Sequence, residues 1–95
     1  MGILDDIKEK IERVHSLSGG SKDFTIVEVH LKKKTNMNMT EMQQLRTYLK
    51  NRLNADSIVE FAPNSIDKRS DGTEVIIFHL RNFSLEKLFT LEGEL

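Results

Sequence analysis

Thr73–Leu80 reads TEVIIFHL, and the placement of this octapeptide decides the architecture. Successive side chains of an extended chain point to opposite faces, so Val75 and Ile77 share one face while Ile76, Phe78 and Leu80 share the other. Both faces are apolar, which marks a strand from the middle of a sheet, buried above and below. Its β-branched and aromatic content fits a strand, and Asp71-Gly72 immediately before it is a turn pair.

Working outward, Ser57–Pro63 (SIVEFAP) reads as a short strand closed by Pro63, and Asn64–Gly72 (NSIDKRSDG) as a polar connection. Two strands so close in sequence form an antiparallel hairpin. Upstream, Asp23–Lys33 (DFTIVEVHLKK) alternates, with Val27, Val29 and Leu31 on one face and Phe24, Ile26, Glu28 and His30 on the other. Between these strands, Thr40 and Gln43 form a capping-box pattern, and Met42, Leu45, Leu49 and Leu53 make the apolar stripe of a helix. Ser84 caps a further short helix, with Phe83 placed to staple onto Leu88. At the N-terminus, Ile3, Leu4, Ile7, Ile11, Val14 and Leu17 fall at helical spacing and SGGS from Ser18 ends the pattern. The expectation is one amphipathic helix over 1–17, a Gly/Ser linker over 18–22 and a core over 23–95, all within a single domain 1–95.

The element order is therefore helix, strand, helix, strand, strand, helix. Placing TEVIIFHL between the other two strands gives a three-stranded sheet of order 1-3-2, a split β-α-β unit. The expected fold class is α+β, a small two-layer sandwich that resembles an incomplete ferredoxin-like fold. That topology hosts many unrelated activities and so transfers no function. Leu45, Leu49, Val29, Ile76 and Phe78 should be its core.

The 95 residues carry a net charge of -1, with 38% hydrophobic and 31% charged residues, the balance of an ordinary soluble domain and not of a dedicated polyanion binder. With no cysteine there is no disulfide framework, zinc-thiolate site or thiol nucleophile. A cytoplasmic location is the expectation, because MGILDDIKEKIERV has neither the apolar run of a signal peptide nor that of a membrane span. In the same segment Asp5, Asp6, Glu9 and Glu12 outnumber Lys8, Lys10 and Arg13, which disfavours an anionic lipid surface.

The strongest local feature is the corner after the first strand, where Lys32, Lys33 and Lys34 follow one another. In a split β-α-β unit this corner shares a rim with Lys68 and Arg69 of the polar connection and with the N-terminal amides of the second helix. Five positive side chains there make a candidate site for an anion or an acidic partner. The competing reading is a solvated corner that keeps an edge soluble. Nucleic-acid binding is the weaker functional reading, since a larger basic excess and stacking aromatics are missing. Met37, Met39 and Met42 have the spacing of a soft-metal cluster, but methionine also fills core gaps and Met42 already belongs to the helix stripe. No cofactor, metal or catalytic residue is assigned: there is no Ser-His-Asp arrangement, HExxH pair or glycine-rich phosphate loop.

The sequence therefore points to a non-catalytic domain that binds another protein, as adaptor, regulator or assembly subunit. A nucleic-acid or phosphate-binding accessory domain is the second reading, and a small enzyme without a local motif the third. Self-association as a homodimer is also expected. The strand FTIVEVHL would have an open edge, and Phe24, Ile26, Val75 and Ile77 would form an apolar patch on the second face of the sheet.

Overall fold

The computed structural model describes residues 2–17, 25–54 and 56–94. In chain order the elements are α1 (Ile3–Lys10), β1 (Ile11–Leu17), β2 (Thr25–Leu31), α2 (Met39–Leu53), β3 (Ile58–Lys68), β4 (Glu74–Arg81) and α3 (Leu85–Glu94). The domain is α+β, with one four-stranded sheet of order β1-β2-β4-β3 in which every neighbouring pair is antiparallel.

The three expected strands keep their expected order, with TEVIIFHL as β4 between β2 and β3. The strand count is corrected from three to four. The helix expected over 1–17 ends at Lys10, and Ile11–Leu17 turns into β1, which pairs along β2. Ile11 pairs with Leu31 and Arg13 with His30, so Glu12 is an inserted residue with none opposite it. The bulge sends Ile11 and Val14 to the same side of the sheet although they stand three apart, a helical spacing produced by a strand. β1 also fills the edge of β2 that was expected to lie open.

A second correction concerns β3, which runs past Pro63 to Lys68 and takes in half of the expected polar connection. Phe61 pairs with Phe78 and Ile66 with Ile76, so the segment between them bulges away from β4. Pro63, which has no N–H to donate, is tolerated there because β3 is an edge strand and the ladder is interrupted.

The core lies between the helices and one face of the sheet. Leu45, Leu49, Val29, Ile76 and Phe78 are each at most 1% exposed. Phe78 meets Phe61 with ring centroids 5.3 Å apart. All three helices share this layer: α2 packs on α1, α3 and β3, and α3 packs on β1. Two methionines of the suggested metal cluster, Met37 and Met42, are buried in this core, while Met39 is exposed.

The cap of α2 is Asn38 with Glu41, two residues before the expected Thr40 and Gln43 pair. Asn38 Oδ1 accepts from the Glu41 amide at 2.8 Å, and Glu41 Oε1 accepts from the Asn38 amide at 3.1 Å. Lys10 Nζ donates to Glu41 Oε2 at 2.7 Å, fastening the end of α1 to the first turn of α2. The Lys10 bond, and after it the Asn38 amide, hold the Glu41 carboxyl below its ordinary range. Among the described residues, no helix is long and apolar enough to cross a membrane.

Candidate binding face

With every helix of the described residues on one side, the second face of the sheet has none of them over it, and the strand register lays out its side chains in rows. Arg13, His30, Val75 and Asp67 stand side by side across β1, β2, β4 and β3. Next come His15, Glu28 and Ile77, and then Leu17, Ile26, His79 and Glu60. All three histidines therefore belong to this face. His30 stands opposite Val75 and His79 opposite Ile26, roughly 13 Å apart along β4 at strand rise. Among the described residues, no three His, Asp or Glu groups are placed to hold a metal ion.

The first rows carry a charge network. Arg69 Nη2 donates to Glu28 Oε2 at 3.0 Å, and its Nε lies 3.3 Å from Asp67 Oδ2. Glu28 is on β2 and Asp67 on β3, so the guanidinium spans β4 between them. On β4, Val75, flanked by His30 and Asp67, has no exposed surface although no helix of the described residues covers this face. His30 Nε2 lies 3.1 Å from Glu28 Oε1, so both oxygens of that carboxylate are engaged.

The turn between β3 and β4 supplies a wall. Arg69 accepts from the Gly72 amide at 3.0 Å and donates its own to Thr73 at 2.8 Å. Gly72 has φ 91°, a conformation that a residue with a Cβ adopts only under strain. Asp71 Oδ1 accepts from the Thr73 amide at 2.9 Å and from Thr73 Oγ1 at 2.6 Å, and these bonds hold the Asp71 carboxyl below its usual range. A shallow trough of about 510 Å³ runs between this turn and the end of β2, lined by Arg13, His30, Lys32, Lys33, Asp71 and Thr73 among others. A neighbouring hollow of about 500 Å³ continues over His15, Glu28 and Arg69.

The basic rim expected from the sequence is divided by this arrangement. Lys32 and Lys33 line the trough. Lys34 is exposed in the turn beyond β2, at φ 60°. Lys68 stands opposite Glu74, and Arg69 is committed to Glu28 and Asp67. At the N-terminus of α2, the Asn38 and Glu41 amides are already taken by the capping box, and the Glu41 carboxylate also holds Lys10. The trough also includes His30, which the sequence places near the basic rim, together with Arg13 and Thr73, which it does not single out; finding Arg13 needs the register of β1 against β2, hidden by the bulge at Glu12.

The apolar patch expected on this face is likewise redistributed. Val75 is sealed, Ile26 and Ile77 are half-buried, and Phe24 lies outside the described residues. Leu17, 36% exposed, stands beside Ile26, and Ile58, 39% exposed, lies further along on β3.

Comparison with known proteins adds no relative: no family model, known protein or solved structure matches the chain.

Proposed function

We propose that this chain is a non-catalytic protein-binding domain, an adaptor, regulator or assembly subunit, that receives its partner on the face of the sheet opposite the helices. One observation carries the reading. All three helices pack on one side, and the other side presents an apolar strip, Leu17, Ile26 and Ile77, bordered by the Arg69, Glu28, His30 and Asp67 network. Protein interfaces combine such a small apolar centre with a polar, hydrogen-bonding rim. A second copy of the chain is one such partner. A homodimer would meet through this face.

Affinity capture from the native host, comparing the wild type with a Leu17→Asp, Ile58→Asp double variant, tests the proposal. Both positions are exposed, so the variant should keep its melting temperature. A protein captured at high salt by the wild type and lost from the variant supports the reading. Retention by both contradicts it, and a capture that is lost with salt and with nuclease identifies nucleic acid instead.

A further inference from the structure

We propose that the trough between the end of β2 and the 69–73 turn binds a phosphate monoester group, a property separate from protein docking on the sheet. The argument begins from how the basic side chains are used. Lys10 is bound to Glu41, and Arg69 is shared by Glu28 and Asp67. Arg13 and Lys32 have no ion-pair partner among the described residues, Lys33 acts on the Asp71 carboxylate only through its charge, without a close ion pair, and all three line the same trough. Arg13 on β1, Lys32 just past β2 and Lys33 in the following turn border an open space of about 510 Å³, room for a phosphate together with the group that carries it.

Two carboxylates also line this space, Glu12 and Asp71. Asp71 is turned into its own loop by two hydrogen bonds from Thr73. Glu12 is exposed on the β1 bulge. Three cations against two carboxylates leave the lining net positive before His30 is counted, and His30 is held at its edge by Glu28. The donor types match a phosphoryl group. The planar fork of Arg13 engages two oxygens at once, while the flexible ammonium groups of Lys32 and Lys33 reach the remaining ones as point charges. A carboxylate offers only two oxygens and one negative charge, so it satisfies the fork and leaves the lysines with less to bind. A phosphodiester also carries a single negative charge, which sets the monoester apart from a nucleic-acid backbone.

The test is an amide and side-chain NMR titration of the whole chain at about 0.15 M salt, where exposed charges are screened beyond roughly 8 Å. The probes are inorganic phosphate, phenyl phosphate, acetate and a single-stranded oligonucleotide. Saturable shifts centred on Arg13, Lys32, Lys33 and Thr73 are expected with the first two probes and not with acetate. Arg13→Gln with Lys33→Gln should weaken phenyl phosphate about tenfold or more, the loss expected for two charge-assisted hydrogen bonds. Lys68→Gln should change nothing. All three side chains are exposed, so unfolding does not confound the result. Shifts that never saturate, equal binding of acetate, or affinity unchanged in the double variant would overturn the proposal. So would an oligonucleotide that binds the trough more tightly than phenyl phosphate, which would make it a nucleic-acid surface.

Discussion

Ile11 and Val14 stand three positions apart in β1, yet both are buried on the helix side of the sheet because the bulge at Glu12 inserts one residue between them. Their burial ties β1 to the core and leaves Arg13 and His15 on the opposite face. Removing residues 1–17 should therefore do more than delete a helix. It strips β2 of its neighbour and exposes a row of unpaired amides and carbonyls, an edge that recruits other strands. The truncated chain should self-associate and melt earlier, as sedimentation and thermal scans would register. A monomer with an unaltered melting temperature would count against β1.

Phe78 is fully buried in the central strand, against Phe61. Phe78→Ala should cost about 3–5 kcal/mol, because a large ring is lost where β2, β3 and the helices all converge. Chemical denaturation measures this, and a loss below about 1 kcal/mol would mean that β4 is not central.

The α2 cap gives a stability and a pH prediction. Asn38→Ala removes the acceptor of the Glu41 amide and should cost about 1 kcal/mol. The folded state holds Glu41 below its ordinary carboxyl range, whereas the unfolded chain does not. Its contribution is therefore complete above the ordinary glutamate value and is lost as pH falls through the lowered folded value. Acid titrations of stability should show a shallower decline in Glu41→Gln than in the wild type. Identical slopes would remove Glu41 from the account.

Arg69 bridges Glu28 and Asp67 across β4, beside Val75 in the register, and is partly solvent-exposed, so Arg69→Ala should cost less than about 1 kcal/mol. Its distinctive effect is on access. The Val75 methyl groups, shielded in the wild type, should become visible to a soluble paramagnetic probe in the variant. No change would show that another group seals Val75.

How far the sequence could be read follows from which contacts set each element. β2, α2 and β4 carry periodicities produced by a single buried face or by two, and their type and order are legible. Ile11–Leu17 was not, because its bulge converts strand alternation into the spacing of a helix. Pro63 similarly reads as the end of a strand that the structure carries on across a bulge to Lys68. The candidate site was half legible: Lys32 and Lys33 stand out as charges, whereas Arg13 reaches the trough only through a pairing 17 residues away, with His30. The loss of Arg69 as a free cation depends on its reach across β4, which no local pattern encodes.

The most direct test of the proposed binding face is site-specific photo-crosslinking in the native host. A photoreactive residue at Leu17, on the face opposite the helices, should yield a discrete protein adduct, while the same residue at Thr47, exposed on α2, should not. Adducts from Thr47 alone, or equally from both positions, would contradict the account and move the interface to the helical layer.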